Sequence, residues 1–215
     1  MARLKVAVLI SGRGSNLQAL IDACAGPDFP ATIAKVVSNR PGVEGLARAE
    51  RAGIPTQIVD HRGHPDRATF DSALHAALAE TGAELVCLAG FMRLLTPGFV
   101  EAWRDRLINI HPSLLPAFPG LDTHARALAA GVRISGCTVH FVRATMDEGP
   151  IIVQGAVPVL ADDDANSLAA RVLAAEHRCY PLALRLIAEG RVHIVGERAV
   201  IDRSAPATDV LINPS

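Results

Sequence analysis

The sequence predicts an α/β protein: an open, mostly parallel sheet with helices on both faces and an antiparallel hairpin extension. Three observations predict it. Short apolar runs rich in β-branched residues recur along the first half of the chain. Each is followed by a longer amphipathic segment, and the last two runs are separated by only a short polar stretch. A strand buried on both faces of a parallel sheet carries no polar side, and its parallel neighbour must be reached through a long crossover. Alternating β and α segments meet both requirements.

LKVAVLI (residues 4–10) is the first strand, and SNLQALIDACAG follows as a helix with Ser15 as candidate N-cap and Gly26 as its stop. ATIAKVVSN (31–39) is a second strand, GVEGLARAERAG a second helix and TQIVD (56–60) a third strand. A polar loop leads to the helix RATFDSALHAALAETG and the strand ELVCLAG (84–90). This order describes a Rossmann-like sheet. DRLINI (105–110) adds a strand, and ISGCTVHFV (134–142) and PIIVQGAVPV (150–159), joined by RATMDEG, form the hairpin. A long helix runs from about Asn166 to Glu189. The acidic Asp162-Asp163-Asp164 run suits its positive end, Gly190 closes it, and Pro181 should kink it. No repeat or linker divides the chain, so residues 1–200 read as one domain, with 201–215 as a loosely held tail.

Composition excludes several classes. With 215 residues, 50% of them hydrophobic, the chain can bury its own core without metal or disulfide staples. Lys+Arg 21 against Asp+Glu 22 gives a net charge of -1, which offers no basic face for nucleic acid. The apolar run in MARLKVAVLISGRGSN is too short for a signal peptide or membrane span. Cys24, Cys87, Cys137 and Cys179 are scattered with no CxxC pair, and His61 and His64 share a polar loop where they read as solvated rather than as metal ligands. These features describe a soluble cytoplasmic protein with no zinc site or disulfide framework.

Chemistry could sit in three places. In SGRGSN (11–16), between the first strand and first helix, glycines let backbone amides approach an anion at a positive helix end; a tight turn explains the glycines as well. Leu17 replaces the third glycine of GxGxxG, and Ser38-Asn39-Arg40 ends the second strand without an acidic residue for a dinucleotide ribose. With no Walker Lys-Ser/Thr either, a monophosphate fits better than NAD or ATP. In NIHPSLLP (109–116), strand alternation aims Asn109 and His111 to the same side, and the prolines stop regular structure. An amide donor beside an imidazole suits oxyanion stabilisation and proton movement. The third place is Asp147 in RATMDEGP, a turn former or a carboxylate that would favour a charged imidazole if folded against His111.

These residues resemble the folate-dependent phosphoribosylglycinamide formyltransferases of purine biosynthesis. The matching segments are VLISGRGSNLQALIDA, VVSNR, LAGFMRLL, LINIHPSLLPAFPGLDTH, GCTVHFV, MDEGPII and AEHRCYP, running from residue 8 to 181. The resemblance implies the formyltransferase fold. It implies a phosphosugar-binding half (1–100) and a catalytic and folate half (101–200). Asn109, His111 and Asp147 become the catalytic set. Gly14, Ser15 and Asn16 become the phosphate loop, and Glu176 the ribose contact. Arg67, Met92, Arg93, Leu94, Leu95, Val142 and Asn109 become the folate contacts, with the loop 142–147 closing over the pterin. The co-substrate implied is 10-formyltetrahydrofolate, the assembly a monomer or homodimer.

The implied reaction is attack of the substrate amine on the formyl carbon. Asn109 and protonated His111 stabilise the oxyanion, and Asp147 holds His111 charged and relays the proton through water. Rivals fit less well. A tRNA formyltransferase would need an added carboxy-terminal domain and a basic surface, and a formyltetrahydrofolate hydrolase an amino-terminal regulatory domain. A non-catalytic phosphosugar-binding protein would leave Asn109, His111 and Asp147 without a role. A nicotinamide-dependent oxidoreductase fails on its missing glycine and acid.

Overall fold

The computed structural model describes residues 2–202 and residue 213. The predicted tail lies almost wholly outside the described residues. Among the described residues seven strands form one sheet: β1 (Leu4–Ile10), β2 (Ala31–Ser38), β3 (Thr56–Ile58), β4 (Leu85–Leu88), β5 (Leu107–His111), β6 (Ile134–Phe141) and β7 (Ile151–Pro158). Their order is β3-β2-β1-β4-β5-β6-β7. β1 pairs in parallel with β2 and β4, β2 with β3, and β4 with β5, while β6 and β7 run antiparallel. The mostly parallel sheet with its hairpin is the architecture the sequence predicts.

Two compact units divide the chain. The first contains residues 2–109 and 141–144. Its helices are α1 (Ser15–Ala25), α2 (Glu44–Arg51), α3 (Arg67–Ala79) and α4 (Pro97–Ala102). From β1 the chain steps outward to β2 and β3, then returns past β1 to β4 and β5, so right-handed crossovers put α1 and α2 on one face and α3 and α4 on the other. One face is a core of Ala7, Leu9, Val37, Val86, Leu88 and Leu107 under Phe70 and Leu74 of α3 and Phe99 and Val100 of α4. Period-2 alternation sends Val6, Val8 and Ile10, equally buried, to the other face. The reversal between β1 and β4 makes their carboxyl ends the place where an open α/β sheet holds a ligand.

The second unit contains residues 110–140 and 145 onward. It carries α5 (Thr123–Ala129), α6 (Ala165–Ala188) and the two-stranded β8 (Val192–Val195) and β9 (Arg198–Ile201). Asp164 caps α6 through a capping box with Ser167, as its acidic start implies. The helix runs through Pro181 as a single element. Leu168, Val172, Tyr180 and Leu184, all fully buried, form its inward stripe.

One local expectation is corrected. Ser15 is the first helical residue of α1 and not its cap; Gly14 holds that position in the left-handed region and makes no side-chain bond. Gly26 does close α1, but in an extended conformation. The sequence also leaves out α4, α5 and the β8–β9 pair, each seven residues or fewer and too short for periodicity to register.

Candidate active site

The glycine loop follows β1. Gly14 has φ 71, a conformation glycine adopts without cost. A Cβ there would lie 2.7 Å from the Cα of Gly45, and one on Gly45 would lie 2.5 Å from Ile10. The two glycines thus let the start of α2 press against the start of α1. Gly45 N–H donates to Gly12 O at 3.1 Å, and Arg48 Nε donates to Arg13 O at 2.9 Å. Ser15 and Asn16 follow as the first residues of α1, whose amino end adds partial positive charge. Backbone amides at a glycine loop before a helix start are a geometry that can accept an anion. Gly45 and Arg48 escape a reading of the sequence, although a glycine in a helix's first turn is a signal of close backbone approach.

After β4 the chain forms a loop in which Phe91 and Leu95 pack against the core, while Met92 and Leu94 are 68% and 54% exposed. Arg93 turns inward over the ring of Phe70, 4.9 Å from its centroid, and its Nε is buried without a hydrogen-bond partner. Arg67 begins α3 and is exposed. Val142 packs on the same core as Leu95. Exposed apolar side chains, with one inward guanidinium on this loop and one exposed arginine on α3, suit a flat ring system bearing carboxylates.

β5 carries Asn109 and His111 two residues apart, so strand geometry gives them the same face, as the alternation implies. His111 is 6% exposed. Its Nε2 lies 3.1 Å from Phe118 O, and its Nδ1 lies 3.4 Å from Asp147 Oδ1. Both partners are acceptors, so each ring nitrogen has an acceptor within reach. Asp147 sits at φ 56, a left-handed position that Asp tolerates better than most residues. Its other oxygen accepts from Gly120 N at 2.6 Å. The structure therefore brings His111 and Asp147 together across 36 residues of sequence.

The octet 109–116 is held from behind by residues the sequence does not flag. Thr138 Oγ1 on β6 donates to Ser113 O (2.7 Å) and accepts from Leu115 N (3.0 Å). Gln154 on β7 donates to Leu115 O (2.9 Å) and to Thr138 Oγ1 (3.0 Å). Ser113 Oγ donates to Ala117 O, which fixes the turn after the strand. Burial, with the positive field of His111 second, pushes the His124 imidazole below its ordinary value. Glu176 is buried on α6. One turn on, Cys179 approaches Cys137 beside Gly155, and this hydrogen bond, with burial, drives the Cys137 thiol far up. Among the described residues no cluster of His, Cys, Asp or Glu could hold a metal ion, and no helix is long and apolar enough to cross a membrane.

The chain thus carries a glycine loop, an apolar loop with cations and a buried His–Asp pair, and residues 4–184 match the formyl transferase family, a class of group-transfer enzymes. Phosphoribosylglycinamide formyltransferase of Escherichia coli (strain K12) is 44% identical over 93% of this chain and 94% of its own length. The crystal structure of glycinamide ribonucleotide transformylase 1 from Symbiobacterium toebii is similar with a TM-score of 0.90 at 51% identity, covering 93% of this chain and 94% of that one. The trifunctional purine biosynthetic protein adenosine-3 of Gallus gallus is 54% identical over 93% of this chain, which spans only 20% of its length. The chain belongs to the formyl transferase family, in its phosphoribosylglycinamide formyltransferase branch.

Proposed function

We propose that the chain transfers the formyl group of 10-formyltetrahydrofolate to the amine of 5′-phosphoribosylglycinamide, giving the N-formyl ribonucleotide of purine biosynthesis. The observation that carries this reading is the buried His111–Asp147 pair, with Nδ1 and Oδ1 3.4 Å apart. Gly14, Ser15 and Asn16 take the phosphate on backbone amides, and Glu176 accepts from the ribose. Met92, Arg93, Leu94, Leu95, Val142 and Arg67 receive the folate, whose formyl carbon is the group transferred. The exposed apolar loop and the unpartnered buried Nε of Arg93 fit such a ligand.

In this reading Asn109 donates its amide to the carbonyl oxygen as charge develops there. His111, with Phe118 O on one nitrogen and Asp147 on the other, faces the same charge and carries a proton. Asp147 orients the ring and balances its charge, and takes part in moving the proton from attacking to leaving nitrogen. No metal takes part in the reaction. Residues 1–200 act as one formyltransferase domain in the cytoplasm, as a monomer or homodimer. The test is to incubate the protein with 5′-phosphoribosylglycinamide and 10-formyltetrahydrofolate and to follow both products. Formylated ribonucleotide is expected; formate released without it would indicate a hydrolase, and no turnover a binding protein.

A further inference from the structure

We propose that Ser11 and Asp71 are positioning residues that clamp the folate-reading loop at its two ends. The proposal rests on the assignment of residues 92–95 to folate above. Ser11, at the end of β1, accepts from Met92 N with its hydroxyl at 2.8 Å. Asp71, on α3, accepts from Thr96 N with Oδ2 at 2.6 Å. Both side chains are buried, Ser11 at 5% and Asp71 at 3% exposed. The segment between them has no strand or helix of its own to fix it. Its backbone is instead fixed where it enters and where it leaves, by one hydroxyl and one carboxylate.

The side chains between the clamps show why position matters here. Phe91, Arg93 and Leu95 turn inward and Met92 and Leu94 outward, so a shift of one residue would exchange the two sets. Core contacts of Phe91 and Leu95 resist that shift but do not set the height of the backbone. Thr96 is also the cap of α4, accepting from Phe99 N, so its own amide points away from the helix and needs an outside acceptor. Asp71 supplies it. The residue before it, Phe70, is the ring under Arg93, so the same turn of α3 locates both the loop's exit and its guanidinium. A carboxylate is a stronger acceptor than a neutral oxygen, which suits the one bond holding an otherwise unpaired amide.

Asp71→Ala should raise the KM for 10-formyltetrahydrofolate about tenfold, the loss of one charge-assisted hydrogen bond, with the KM for the ribonucleotide unchanged. Asp71→Asn retains an acceptor oxygen and should recover most of the folate KM. Hydrogen–deuterium exchange gives a readout apart from activity. The Thr96 amide should exchange about tenfold faster or more in Asp71→Ala, and the Met92 amide in Ser11→Ala, with β1 and β4 as protected as before. Unchanged exchange at both amides would overturn the clamp. So would equal rises in both KM values, or an Asn variant as impaired as the Ala one. If the unsubstituted protein turns over no folate, the formyl-transfer reading falls first and the folate role of the loop with it. The exchange experiment still decides whether the clamp exists.

Discussion

The glycine loop at residues 11–16 and the His111–Asp147 pair are built by opposite means. The loop holds its shape by leaving side chains out: Gly14 and Gly45 meet at a distance no Cβ permits, and the proposed recognition falls to backbone amides. The pair holds its shape by filling every direction. His111 has an acceptor on each nitrogen, Asp147 uses both oxygens, and Thr138 and Gln154 brace the backbone beneath. A site that binds a fixed charge can be made of backbone dipoles. One that must move a proton needs titratable side chains held in buried, fully bonded positions. The contrast predicts that damage to the first appears in binding and damage to the second in turnover.

The largest expected effect lies at the pair. His111→Ala should lower kcat by ~10²–10³ with little change in the KM for folate, measured by steady-state kinetics. Next comes the loop. Gly14→Ala forces a side chain into the left-handed region and against Gly45, at a cost of about 1–3 kcal/mol visible in thermal unfolding. Its kinetic mark should be a raised KM for the ribonucleotide with the folate KM preserved. A rise in both would blur the division drawn above.

Much of this division is legible in the amino-acid sequence, and the parts that are not share one physical cause. The first strands and helices declare themselves through periodicity, and NIHPSLLP through a polar pair placed between an apolar run and prolines. What stays hidden depends on partners far along the chain. Nothing local to Thr138 tells that it will bridge Ser113 and Leu115, nor to Asp71 that it will take the amide of Thr96. Ser15 misleads as a cap because the turn before α1 needs φ 71, which only the conformation of the whole loop reveals. The meeting of His111 with Asp147 follows from the family resemblance and from the fold, not from spacing.

A smaller effect tests the bracing. Thr138→Val removes a hydroxyl that serves Ser113 O, Leu115 N and Gln154, and leaves buried backbone groups unpaired. A loss of about 1–3 kcal/mol is expected in denaturant unfolding, with kcat reduced less than in His111→Ala. The smallest concerns pH. His124 is held below its ordinary value of 6.5, so the unfolded chain binds its proton more readily than the folded one. Its contribution to stability is therefore full above that value and lost as pH falls below it. Unfolding midpoints measured across that window should decline toward acid, and His124→Gln should flatten the decline.

The central claim is that Asp147 serves the chemistry rather than the fold, and Asp147→Asn tests it most directly. Asn accepts a left-handed backbone as Asp does and keeps an oxygen for the Gly120 amide, so the change falls on the side facing His111, where a charged acceptor becomes an amide donor. The account predicts a kcat for formyl transfer reduced by ~10²–10³ while both KM values stay close to those of the unsubstituted protein. A variant that transfers formyl groups at nearly the normal rate would contradict it.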